Sequence, residues 1–226
     1  MFLSKVSLNN SALAKKELVK LVDKGAYASH QLLWKLFADP TATERPFIFR
    51  EEQCHGAPIF YVLSHIPPIH RPEIFTQQVK PFTPKLEPGS RLAFQLRANP
   101  TINIKDGSKN GKTHDVLMHA KRQLPENKDK DIQHVKKVQE SAAKQWLMDE
   151  ERLNAIGVAM ELEPDVVSYQ QHCTYKRDTR APIRFSTVDY QGVIKVMEPE
   201  LFIGKLSAGI GRAKAFGCGL MLIRRV

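Results

Sequence analysis

Long apolar runs are missing from this chain of 226 residues; none approaches the roughly 18 residues that a membrane-spanning helix needs. The first residues lack the basic-then-apolar pattern of a secretory signal, so a soluble cytoplasmic protein is expected. Cysteine is scarce. Cys54, Cys173 and Cys218 are scattered and odd in number, which argues against a disulfide framework. No CxxC or HxxxH spacing occurs, although eight histidines are present, and a structural zinc site needs four ligands at recognisable spacing. Carboxylates number 24 against 34 lysines and arginines, with no tight cluster of the kind two-metal nucleases use. Neither a metal nor a cofactor is expected.

What the chain does have is positive charge. Its formal net charge is +10 and its isoelectric point is about 9.5. An excess of this size points to a polyanionic partner, with nucleic acid favoured over a membrane surface. The apolar fraction of 42% is adequate for a packed core, and the length suits one large domain or two small ones.

Residues 2–8 alternate like a half-buried strand, and Asn9, Asn10 and Ser11 supply cap chemistry for a following helical region. Leu18, Leu21 and Val22 form one apolar stripe there, and Leu32, Leu33, Leu36 and Phe37 another. Gly25 marks a break between two helices, and Asp39-Pro40 ends the second. Strands follow at 46–50 and 58–63 around a turn containing Gly56. A proline-rich passage from Pro67 to Pro88 reads as a domain junction surrounding a short helix or strand. Beyond it come a strand at 91–97 and a Lys-rich surface excursion over 105–137, expected to be mobile. A helix around 142–153 ends near Gly157. Strands at 166–175 and 183–196, a helix at 199–208 and a last strand at 220–223 complete the chain. Both halves follow the strand–helix–strand–strand plan of ferredoxin-like units. The expected fold class is therefore α+β, with two tandem ferredoxin-like (βαββαβ, RRM-like) domains. The first spans 1–80, a linker 81–90, and the second 91–226 with a C-terminal glycine-rich loop.

That loop is the densest local signal. Between Gly209 and Gly219 four glycines and two cations, Arg212 and Lys214, fall in eleven residues directly before an apolar strand. Glycine lets a backbone approach a ligand closely and present N–H groups, which suits phosphate oxygens. The loop fits neither the Walker pattern nor the dinucleotide fingerprint, since both place glycines after a strand and before a helix. A tight helix-to-strand connection without a ligand is the plain alternative.

Four stretches occur in order: FLSKVSL at 2–8, YASHQLLWKLF at 27–37, LRANP at 96–100 and GIGRAKAFGCGL at 209–220. Together they resemble the CasE family, the precursor-CRISPR-RNA endoribonuclease of the type I-E Cascade complex, over nearly the whole length. The resemblance implies two ferredoxin-like domains and a sequence-specific ribonuclease that needs no metal. It implies cleavage 3′ of a repeat stem-loop, leaving a 2′,3′-cyclic phosphate and a 5′-hydroxyl. The implied partners are the CRISPR repeat RNA stem-loop and the other Cascade subunits, with no membrane; the free protein is expected to be monomeric.

Residue by residue, the resemblance puts His30 on the family's catalytic histidine and Tyr27 where some members carry an assisting tyrosine. Lys35 falls on a lysine that in some members holds the scissile phosphate. The chemistry suits these types. Histidine's ordinary pKa of about 6.5 fits proton transfer near neutrality, residues three apart share a helix face, and a cation favours the pentacovalent state. Each has a bland alternative: a packing histidine, a packing tyrosine ring, a solvated lysine. Lys176, Arg177, Arg180 and Arg184 join two strands of the second half, where the family has a basic hairpin that enters the RNA major groove; an ordinary charged hairpin tip would look the same. Arg212, Lys214 and the backbone N–H groups of Gly209 and Gly211 would meet phosphates. Arg97 is either a structural strand residue or part of a groove.

Two other functions stay open at this stage: a non-catalytic RNA-hairpin-binding subunit on the same scaffold, and a structural protein of a ribonucleoprotein assembly. Matched His30 and Tyr27 favour catalysis, because binding alone would not require them.

Overall fold

Period-two alternation and capping residues build the N-terminal third as expected. The computed structural model describes residues 1–24, 26–37, 45–105, 111–125, 131–174 and 182–226. Strand β1 (Phe2–Leu8) buries Ser4 and Val6 and exposes Lys5. The Ser11 hydroxyl accepts from the Ala14 N–H at 3.0 Å and so caps α1 (Ala12–Lys24). Helix α2 (Ala26–Leu33) runs into a 3₁₀ turn at Trp34–Leu36. Strands β2 (Phe47–Cys54) and β3 (Ala57–Ser64) form a hairpin whose two turn residues, His55 and Gly56, have φ of 51° and 80°. Both central residues of a type I′ turn need positive φ, which is why glycine stands there. The proline-rich passage contains β4 (Phe75–Pro81).

The chain divides into two compact units: Met1–Lys85, His172–Arg184 and Ile203–Leu220 form the first, and Leu86–Gln171, Phe185–Phe202 and Met221–Val226 the second. The first contains a fully antiparallel sheet in the order β2-β3-β1-β4. In it β1 pairs Phe2 with Ser64 of β3 on one side and with Pro81 of β4 on the other. Its core gathers Val6, Leu32, Leu33, Leu36, Phe47, Phe49, Phe60 and Phe75. Phe49 and Phe60 are completely buried; truncating either to alanine costs about 3–5 kcal/mol.

The second unit is built on a sheet in the order β11-β5-β10-β8, with β9 paired to β10. These strands are β5 (Arg91–Ala98), β8 (Val158–Met160), β9 (Asp165–Thr174), β10 (Ile183–Val196) and β11 (Met221–Arg225). Helix α6 (Pro199–Ala208) precedes β11. The expectation of a mobile excursion over 105–137 is corrected for the described residues. A short ladder, β6 (Thr101–Ile104) with β7 (Lys112–Asp115), leads into α3 (Val116–Arg122), and α4 (Ile132–Met148) starts inside the same stretch. Asp115 and Asp131 cap the two helices through their carboxylates, and buried Val116, Leu117 and Val135 anchor them. Charge-rich composition hid these few apolar anchors. Helix α5 (Glu150–Ile156) closes at Gly157.

Arg97 is a structural strand residue. It sits opposite Asp189 in the β5–β10 register and donates to both carboxylate oxygens, Nε to Oδ1 and Nη2 to Oδ2, each at 2.9 Å. The Ser168 hydroxyl also donates to Asp189 Oδ2, at 2.8 Å.

Candidate active site

His30 is presented by a helix that is tied down on its other side. The neighbouring Ser29 is buried and donates its hydroxyl to Glu51 Oε2 of β2 at 2.5 Å, while Leu32 and Leu33 are in the core. That leaves residues 27, 30 and 34, one stripe of the helix, beside the start of β2. The His30 ring lies 6.5 Å from Tyr27, 6.1 Å edge-on from Trp34 and 5.9 Å from Phe47, centroid to centroid. Trp34 Nε1–H donates to His30 Nε2 at 3.2 Å. Burial, aided by the Arg45 cation, pushes the His30 pKa down to about 4. The ring is therefore neutral at physiological pH.

Arg45 lies 5.8 Å from the Phe47 ring centroid, and among the described residues its buried Nε has no hydrogen-bond partner. Burial lowers its pKa from the ordinary arginine value, yet the guanidinium stays charged. A second cation comes from the glycine-rich segment. Gly209, Gly211, Ala213, Gly217 and Gly219 all have positive φ, and they fold the chain around a 3₁₀ turn at Lys214–Phe216 that packs on α2 and β2. Lys214 Nζ donates to the Ala208 carbonyl at 2.7 Å. Burial first, then repulsion from Arg45 and Lys205, lowers its pKa. Gly219 must be glycine: at φ 93° a Cβ would sit 2.9 Å from the Ile210 carbonyl oxygen, and the Ile210 N–H donates to the Gly219 carbonyl at the same place.

The first unit thus holds a neutral imidazole beside the partly desolvated Arg45, which in turn repels a second partly desolvated cation, Lys214. A family model described as CRISPR associated protein matches residues 1–225. This chain belongs to that family. It is 28% identical to the CRISPR system Cascade subunit CasE of Escherichia coli strain K12, over 92% of this chain and 96% of that one. A solved Thermus thermophilus Cse3, bound to an RNA representing a pre-cleavage complex, matches with a TM-score of 0.69 at 24% identity. That match covers 99% of this chain and 98% of the other. Cas6e from Escherichia coli matches with a TM-score of 0.58 at 23% identity, over the whole of both chains. The CasE resemblance carried by the ordered motifs thus holds along the full chain, and the mixed α/β fold with antiparallel sheets is the one those proteins have.

Of the residues singled out in this CasE-family sequence, the fold brings His30 and Tyr27 together and packs the turn that carries Lys214 against their helix. Lys35 is on the adjoining stripe of the helix and donates to Glu17 Oε1 at 2.9 Å. Burial opposes the Glu17 charge, but hydrogen bonds from Lys20 and Lys35 keep its carboxyl below the ordinary range. Gly209 caps α6, its N–H donating to the Lys205 carbonyl at 2.9 Å, so that donor does not point outward. Gly211 and Arg212 are exposed on the glycine-rich segment, and Arg184 is exposed at the start of β10. Lys176, Arg177 and Arg180 lie outside the described residues. Among the described residues no three His, Cys, Asp or Glu side chains are grouped to hold a metal, and no helix is long and apolar enough to cross a membrane. Sequence reasoning missed Arg45 and Trp34. Trp34 carried a signal, since an i, i+4 spacing from His30 places it on the same stripe; Arg45 carried none.

Proposed function

We propose that this chain is a metal-independent endoribonuclease that recognises a CRISPR repeat stem-loop and cuts precursor RNA 3′ of the stem. The observation that carries this reading is the neutral, half-buried His30 next to the Arg45 cation, which also repels Lys214 on the 3₁₀ turn packed against α2. Attack of a 2′-hydroxyl on the adjacent phosphorus needs that hydroxyl deprotonated, the 5′-oxygen protonated as it leaves, and the added phosphoryl charge stabilised. A neutral imidazole can move the proton, and partly desolvated cations hold the charge more strongly than solvated ones. The products are a 2′,3′-cyclic phosphate and a 5′-hydroxyl.

Tyr27 orients the 2′-hydroxyl or the phosphate. Arg212, Lys214 and the exposed backbone at Gly211 meet the RNA backbone. Lys176, Arg177, Arg180 and Arg184 contact the stem's major groove near its base. Lys35 takes part by exchanging the Glu17 carboxylate for the scissile phosphate. Two tandem ferredoxin-like domains, over 1–80 and 91–226, carry this machinery. The sheet orders support that reading, because β1 lies between β3 and β4 and β5 lies between β10 and β11, so that each sheet sets its first strand between its last two. No cofactor is needed. After cleavage the protein stays on the hairpin and acts as a Cascade subunit in the cytoplasm.

Mass spectrometry of the product ends tests the reading. A 2′,3′-cyclic phosphate on the upstream fragment is expected; a 3′-hydroxyl with a 5′-phosphate would overturn it, because that pair comes from attack by water.

A further inference from the structure

An indole nitrogen can only donate a hydrogen bond. Trp34 Nε1–H points at His30 Nε2 from 3.2 Å, so in this arrangement Nε2 carries a lone pair and the ring proton of the neutral histidine is on Nδ1. The two rings meet edge-on, and Trp34 is itself braced by an edge contact to Phe47, 5.6 Å between centroids. Among the described residues, Trp34 alone hydrogen-bonds the His30 ring.

We propose that Trp34 is a positioning residue that fixes His30 as the Nδ1–H tautomer, so that Nε2 is the nitrogen that takes the proton of the attacking 2′-hydroxyl. This rests on the ribonuclease reading above and assigns His30 the part of general base. The 2′-hydroxyl enters by replacing the indole N–H as donor to the same lone pair, a long contact that a better-placed hydroxyl displaces. The O2′ proton passes to Nε2, giving an imidazolium that keeps its Nδ1–H. The O2′–P bond forms, the P–O5′ bond breaks with its electron pair on O5′, and O5′ takes a proton from water. In the other tautomer Nε2–H would face the indole N–H, two donors together in a half-buried place.

The same hydrogen bond opposes charging of the resting ring, because a protonated Nε2 cannot accept it. The charged groups around the helix that carries His30 act the same way or are already neutralised. Arg45, just before β2, and Lys214, on the 3₁₀ turn packed on α2, are both cationic. The Tyr27 ring lies 6.5 Å away, Lys35 is paired with Glu17, and Glu51 on β2 accepts from Ser29.

The test uses the full-length protein with ¹⁵N-labelled histidine and long-range ¹H–¹⁵N NMR, with a His30→Gln spectrum to assign the His30 signals. At neutral pH the wild type is expected to show a protonated Nδ1 and a bare Nε2. Trp34→Phe, which keeps a ring against Phe47, is expected to give mixed tautomers and to raise the pH at which His30 charges by about one unit. Single-turnover cleavage by Trp34→Phe should fall about tenfold at neutral pH, with its acidic limb displaced upward by the same interval. A wild-type Nε2 that bears the proton overturns the proposal, as does a Trp34→Phe variant that keeps the wild-type tautomer and limb. A wild type that does not cleave RNA removes the ribonuclease reading, while the spectrum still decides whether Trp34 sets the tautomer.

Discussion

Acidification should destabilise this protein through His30, and replacing that residue should remove the effect. In the folded chain burial and Arg45 hold its pKa at about 4, against 6.5 for an ordinary histidine. Above pH 6.5 the ring is neutral whether the chain is folded or not, and it contributes nothing. Between pH 6.5 and 4 the unfolded chain takes up a proton that the folded ring refuses, so stability falls with pH across that window and levels off below it. The full displacement corresponds to about 3 kcal/mol as an upper bound; His30 is only half-buried, and solvent screening reduces this to roughly 1–2 kcal/mol. The assay is urea unfolding of wild type and His30→Gln at pH 7.5 and pH 4.5. Seven of the eight histidines and every carboxylate are common to both proteins, so their contributions cancel in the comparison. The wild type should lose roughly 1–2 kcal/mol more than the variant between the two pH values. Equal losses would refute the reasoning, because a ring that charges as readily folded as unfolded has neither the burial nor the cationic neighbour described.

Other perturbations test separate parts of the structure. Asp189→Asn strips one charge from the half-buried pair with Arg97 and should cost about 1–3 kcal/mol in thermal unfolding; an unchanged melting temperature would contradict the pairing. Gly219→Ala drives a Cβ to 2.9 Å from a backbone oxygen, whereas Gly56→Ala meets only open space at a similar φ. The first should cost at least about 1 kcal/mol more than the second and weaken RNA binding, which calorimetry and a binding titration would measure. Lys35→Ala gives up the Glu17 pair and should slow single-turnover cleavage by less than about tenfold, far less than loss of His30.

Much of this fold was legible because local rules and tertiary packing agree. Alternation at 2–8, the Ser11 cap, the Gly56 turn and the apolar stripe at 32–37 each mark an element that forms where the pattern places it. The misses have physical causes. Strand β8 has only three residues, too few for a period to show, and the β6–β7 ladder has strands of four residues whose only aliphatic side chains are Ile102 and Ile104 on β6, opposite His114 and Lys112 of β7. The site divides the same way. His30 and the glycine-rich segment stood out by residue type and order, but their proximity depends on the 3₁₀ turn packing against α2, a contact between positions far apart in the chain. Arg45 is an unremarkable cation in sequence and acquires its role from the Phe47 ring and the burial around it.

The most direct measurement is a cleavage assay in EDTA on a CRISPR repeat stem-loop, comparing the wild type, His30→Ala, and an RNA with a 2′-deoxy sugar at the cut site. A single cut beside the stem, lost with either change while hairpin binding persists, is the predicted result. Tight binding with no cut by the wild type, or full activity in His30→Ala, would contradict the account.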